Sequence, residues 1–209
     1  MQKDTLIFDF DGTLADVEPL FIKIYNTLAL KFRFEPIVAD EIPALKRLSA
    51  RDFIRTKLKI SFWRIPWILR RGRQAYHQLA DDVTLFEGMP AVIDELHQRG
   101  YRIGILSSSR GETIRSILSR TGITVDFIYE STLFGKARAI KKALRAEGLE
   151  TSRVAYIGDE VRDVEACQQC GIDVIAVTWG LNSQEALQAA GAPTADQPNE
   201  LLDRFPSHI

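Results

Sequence analysis

The 209 residues include 45% hydrophobic and 26% charged side chains, a balance that excludes a disordered chain and suits one large domain or a core with a small accessory unit. Lys and Arg number 27 against 28 Asp and Glu, so a formal charge of −1 gives no reason to expect a nucleic-acid partner. No apolar run reaches the roughly 18–20 residues that cross a bilayer. Met1-Gln2-Lys3-Asp4 leads into a strand pattern rather than a signal-peptide core, and two cysteines point to a reducing compartment, so a soluble cytoplasmic protein with no membrane partner is expected.

The first apolar run, Thr5-Leu6-Ile7-Phe8, reads as a buried strand stopped by Asp9-Phe10-Asp11-Gly12. From about Asp16 to Val83 no strand pattern appears and the apolar spacing is helical. Phe21, Ile24, Tyr25, Leu28 and Phe32 form one stripe, and Ala50, Phe53, Ile54 and Leu58 another. Beyond it, helix patterns over 90–99, 111–120, 136–147 and 161–170 alternate with strand patterns over 101–106, 125–129, 153–157 and 173–177. Gly100, Gly122, Gly148 and Gly171 follow the four helices, where a left-handed residue is wanted. A short helix over 199–204 closes the chain. This alternation predicts a three-layer, Rossmann-like α/β core with a mostly parallel sheet, formed by 1–15 and 84–209. The all-helical insert, 16–83, reads as a cap domain over the sheet edge where ligands bind in such folds.

Carboxylates gather at strand ends. Asp9 and Asp11 follow the first strand, and Asp159 and Asp163 follow the strand that ends at Ile157-Gly158. If the two strands are parallel neighbours, four carboxyl groups converge, which is costly unless a cation or protons neutralise them. Hard oxygen donors without His or Cys nearby favour Mg²⁺ over Zn²⁺. Singly, each Asp could be a turn or helix cap; together, with Gly12 and Gly158 in tight turns, they read as a metal site. Ser107, in the run Ser107-Ser108-Ser109, also ends a strand on this edge, where hydroxyls and helix-opening amides can bind phosphate oxygens. Lys136 opens a helix, where a cation opposes the macrodipole unless it reaches an anion.

Asp9-Phe10-Asp11-Gly12-Thr13-Leu14, Ser107, Lys136 and Gly158-Asp159-Glu160-Val161-Arg162-Asp163 resemble the four ordered signatures of the haloacid dehalogenase-like hydrolase superfamily. The phosphoglycolate phosphatase-like branch matches best, with Phe86-Glu87-Gly88-Met89-Pro90 and Val177-Thr178-Trp179-Gly180 adding to the likeness. The resemblance covers the core; the cap matches in position and helical character only. It implies Mg²⁺-dependent hydrolysis of a small phosphomonoester. Asp9 would attack phosphorus and form an aspartyl-phosphate. Asp11 would protonate the leaving oxygen and then deprotonate water. Mg²⁺ would be held by the Asp9 carboxylate, the Asp11 backbone carbonyl and Asp159. Ser107, Ser108 and Lys136 would bind phosphate, and Asp163 would orient Lys136 or a metal-bound water. Glu160 departs from the usual small hydroxyl residue and is read as a favourable helix start.

Between Lys46 and Arg73 lie ten bases and one acid, a local charge of +9 that leaves −10 on the remainder. Trp63 and Trp67 fall in the same stretch. Solvated cap helices, a funnel for an anionic substrate, and a polyanion or membrane surface all remain open as readings. Cys167 and Cys170 form Cys-x-x-Cys inside a helix, with only His77, His97 and His208 elsewhere, and read as packing residues rather than a zinc or redox site. A phosphomutase-type phosphoryl transferase and a non-catalytic binding protein acting through the basic cap are the alternative functions.

Overall fold

Strand β1 (Thr5–Phe8) is buried along its whole length, with Leu6 and Phe8 facing one layer of helices and Ile7 the other. It is the centre of the protein's structure, a computed structural model that describes residues 3–59, 61–133 and 135–207. After β1 come a short strand β2 (Ala15–Asp16) and four helices, α1 (Glu18–Phe32), α2 (Ile42–Leu45), α3 (Ala50–Phe53) and α4 (Ile65–Gln78). The chain returns through β3 (Thr84–Leu85) and then alternates: α5 (Met89–Gln98), β4 (Arg102–Ser107), α6 (Gly111–Thr121) and β5 (Phe127–Glu130). Next are α7 (Lys136–Ala146), β6 (Val154–Gly158), α8 (Val161–Cys170) and β7 (Asp173–Val177). Helix α9 (Gln184–Ala189), β8 (Thr194–Ala195) and α10 (Glu200–Arg204) complete the fold.

Six strands form one parallel sheet in the order β5-β4-β1-β6-β7-β8. Val92 and Ile93 of α5, Ile114 and Ile117 of α6, and Leu201 of α10 cover the Leu6/Phe8 face. Ile140, Ala143 and Leu144 of α7, with Ala166 and Cys167 of α8, cover Ile7 and Tyr156 on the other. Each fully buried Leu or Ile contributes roughly 1.5–3 kcal/mol. The three-layer, Rossmann-like expectation is the fold observed. Phe8 lies in register with Ile105 of β4 and Ile157 of β6, so the next residues of all three strands emerge at one edge.

The four glycines expected after helices all adopt positive φ, between 64° and 89°. Boundaries shift by small amounts. The first residues of the 125–129 pattern fall outside β5, because Asp126 bonds the backbone of Ile103 through its amide and its carboxylate instead of extending the ladder. Arg153 closes a 3-10 turn before β6. The absence of strand expected from Asp16 to Val83 needs correcting at its first residue. Asp16 pairs antiparallel with Thr84, and Ala15 with Leu85, in a two-residue ribbon too short to leave an alternating pattern. Helix α9 and strand β8, at the sheet's far edge, carry no strong periodicity and were not expected.

The insert has its own small core of Tyr25, Ala29 and Ile37, with Phe34 and Phe53 packed on it. Along α1 the buried residues are Leu20, Ile24, Tyr25 and Ala29; Phe21, expected in the stripe, is 41% exposed. The basic stretch is partly neutralised. Lys46 pairs with Glu18, Arg55 with Asp52, Lys57 with Glu41 and Lys59 with Glu35. Cys167 and Cys170 are both free thiols within α8. Among the described residues no helix is long and apolar enough to cross a membrane. His208 lies outside the described residues.

Candidate active site

The Asp9 amide continues the sheet, donating to the Ile157 carbonyl at 2.8 Å, and its carboxylate is 99% buried, its Oδ1 accepting from the Phe10 amide at 2.7 Å. Phe10, fully buried, anchors a turn in which Gly12 has φ 82°. On the neighbouring strand, β6 ends at Gly158 and delivers Asp159, whose Oδ1 accepts from the Thr13 hydroxyl at 2.7 Å and Oδ2 from the Leu181 amide at 2.8 Å. Space around Asp159 is made by two glycines. A Cβ on Gly12 would lie 2.7 Å from the Asp159 Cγ, and one on Gly180 would strike the Asp159 Cβ and the Gly12 carbonyl. Asp163, on the first turn of α8, accepts from the Glu160 amide at 3.2 Å.

Lys136 opens α7 beside Gly135 and lies buried between two carboxylates, donating to Asp9 Oδ2 and Asp163 Oδ1. Its ammonium also sits 5.4 Å over the Tyr156 ring. Burial works against its charge, yet the Asp163 and Asp9 carboxylates outweigh that and raise its pKa above the ordinary lysine value. Lys136 is therefore a fixed cation. Glu160 is the residue before α8 and forms a reciprocal cap with Asp163, as a helix-start residue should; its carboxylate also takes a bond from Arg162 at 2.5 Å.

One oxygen each from Asp9, Asp159 and Asp163 lies within 4.8 Å of the others. The fourth expected carboxylate, Asp11, shares the edge but lies outside this trio. The Asp11 side chain turns the other way, because three hydroxyls claim it: Tyr76 at 2.6 Å on Oδ1, and Ser109 at 2.5 Å and Ser107 at 3.1 Å on Oδ2. Burial, with a contribution from the Asp9 charge, raises the Asp11 pKa, while these hydroxyls act against the rise. Ser107 also accepts from the Ser109 amide at 3.1 Å, so its hydroxyl serves Asp11 here, while Ser108 lines the cavity next to the site.

Tyr76 was not expected: it comes from α4 of the insert, and nothing in its local sequence separates it from the other tyrosines. Ser109 and Thr13 stood inside quoted motifs, but only the folded contacts give them partners.

The donor set fits a hard divalent cation. Burial, and then the charges of Glu160, Asp9 and Asp163, push the Asp159 pKa well above the carboxylate range. Five carboxylates (Asp9, Asp11, Asp159, Glu160 and Asp163) share this edge with two cations, Lys136 and Arg162, among the described residues. A Mg²⁺-sized ion among all-oxygen donors would relieve that excess.

An α/β sheet with carboxylates, a buried lysine and a serine run at its carboxyl edge defines a hydrolase of the phosphoryl-transfer kind. A family model described as haloacid dehalogenase-like hydrolase matches residues 6–177. A phosphoglycolate phosphatase from Synechococcus elongatus is 35% identical over 201 residues, covering 94% of each chain. A pyrophosphatase PpaX from Bacillus cereus is 25% identical, covering 98% of this chain and 94% of its own. In fold, a haloacid dehalogenase-like family protein from Streptococcus pneumoniae superposes with a TM-score of 0.83 at 23% identity, covering 98% of this chain and 99% of that one. This chain belongs to the haloacid dehalogenase-like hydrolase family.

Proposed function

We propose that this chain is a Mg²⁺-dependent phosphatase that hydrolyses a small phosphomonoester by way of an aspartyl-phosphate on Asp9. The observation that carries the reading is the division of labour between two aspartates two residues apart. Asp9 belongs to the carboxylate trio and contacts Lys136, whereas Asp11 is held apart by hydroxyls in a half-buried setting where desolvation raises its pKa.

The Asp9 carboxylate forms a bond to phosphorus as the ester P–O bond breaks, and Asp11 gives its proton to the departing alcohol oxygen. Asp11, now ionised, takes a proton from water, the resulting hydroxide attacks phosphorus, and the Asp9–P bond breaks to return the carboxylate and release phosphate. Lys136 holds Asp9 in place and offers its charge to the phosphoryl oxygens, with Ser107 and Ser108 as further phosphate partners. Asp9, Asp159 and the Asp11 backbone carbonyl, backed by Asp163, would hold Mg²⁺, which supplies charge neutralisation to the transferring phosphoryl group. Residues 16–83 act as a cap on the core formed by 1–15 and 84–209. Both free thiols suit a cytoplasmic setting.

The test is a panel of phosphate esters including phosphoglycolate, together with the anhydride pyrophosphate, both taken from the names of the relatives, run with Mg²⁺ on wild type and Asp9→Asn. Turnover by wild type and none by a folded Asp9→Asn is expected. Comparable turnover by both would overturn the nucleophile assignment.

A further inference from the structure

A cavity of about 360 Å³ opens beside Asp11, Ser108 and Ser109 and is walled by the insert. Its lining is largely apolar, with Phe21, Ile24, Leu28, Phe34, Phe53 and Leu58 among the side chains. A volume of this order holds a body well beyond two carbons. The cations that border it are largely committed. Lys46 is paired with Glu18 and Arg162 with Glu160, each at 2.5 Å, and both acids line the same cavity. A carboxylate on the substrate would meet these pairs already neutralised, leaving Arg73 as the remaining basic side chain of the lining.

We infer that the substrate is the phosphomonoester of an apolar alcohol of several carbons. The phosphate sits at Asp9 and Lys136, and the carbon body fills the cavity of the insert. This rests on the phosphatase reading above and adds the class of alcohol it releases.

The test compares n-hexyl phosphate and phosphoglycolate. With about fourfold gained per methylene buried, kcat/KM for hexyl phosphate is expected to exceed that for phosphoglycolate by at least about tenfold. Ala50→Phe, which puts a ring into the cavity lining, is expected to lower that ratio. Calorimetric binding to Asp9→Asn reads the same pocket without turnover and distinguishes the two levels of the argument. Tighter binding of hexyl phosphate supports the inference even if no ester is hydrolysed, a result that would sink the phosphatase reading alone. Phosphoglycolate bound and turned over as well as hexyl phosphate, or better, overturns the inference and leaves the phosphatase reading standing.

Discussion

The Tyr76 hydroxyl donates to Asp11 Oδ1 at 2.6 Å and so ties the last long helix of the insert to the loop that follows the central strand. It is a contact between a side chain that decides nothing about the sheet and the residue proposed as the acid. Losing one hydrogen bond to an ionisable group costs about 1.5 kcal/mol, so Tyr76→Phe is expected to lower kcat/KM about tenfold. Burial raises the Asp11 pKa and the Tyr76 bond opposes the rise. Its removal therefore lifts that pKa further. The limb of the pH–rate profile on which Asp11 loses its proton should move to higher pH, and a profile superimposable on wild type would refute the coupling.

Gly180 approaches the Asp159 Cβ and the Gly12 carbonyl too closely for any side chain. Gly180→Ala should force Asp159 out of the trio and cost about 1–3 kcal/mol in urea unfolding. The Mg²⁺ concentration for half-maximal activity is expected to rise at least about tenfold. An unchanged Mg²⁺ requirement in a folded variant would remove Asp159 from the ion's coordination.

Lys136 separates Asp9 from Asp163 with its charge. Lys136→Met leaves two buried carboxylates facing each other, a loss of about 3–5 kcal/mol. Burial holds the Asp163 carboxyl up at about 6 even with the Lys136 charge working against the rise, so removing the lysine lifts it further above the unfolded value. Stability is then retained at low pH, where Asp163 is protonated, and lost as pH climbs through its raised folded value. Urea melts of the variant against wild type should show the larger deficit at pH 8 and the smaller one near pH 5. Equal deficits would mean the lysine acts by packing alone.

Burial pushes the Cys167 thiol well above its ordinary pKa and also raises that of half-buried Cys170. Both shifts disfavour the reactive thiolate. A thiol reagent should modify Cys170 slowly and Cys167 only once urea unfolds α8. Rapid modification of both in the native state would contradict the packing role.

Much of the core was legible from local pattern. Thr5-Leu6-Ile7-Phe8, buried on both faces, could satisfy its continuous apolar run only at the centre of a covered parallel sheet. Helices 111–120 and 161–170 announced their ends through Gly122 and Gly171, which take left-handed conformations that a side chain would resist. The short ribbon Ala15–Asp16 with Thr84–Leu85 was not legible, because two residues per strand carry no period. The far-edge elements α9 and β8 were missed for a related reason: β8 pairs with the sheet through only two residues, and α9 spans six.

At the site, the sequence by itself determined which chemistry was on offer. Asp9, Asp159, Asp163 and Lys136 lie at strand ends and helix starts, and local segments of a few residues set those positions. Where each side chain points was decided only by contacts between segments distant in the chain. Asp11 left the carboxylate group for Tyr76, 65 residues away, and for Ser107 at the end of β4 and Ser109 in the bend after it. Hydrogen bonds between distant segments are chosen by burial, since a polar group removed from water must take whichever partner the packed chain brings within about 3 Å.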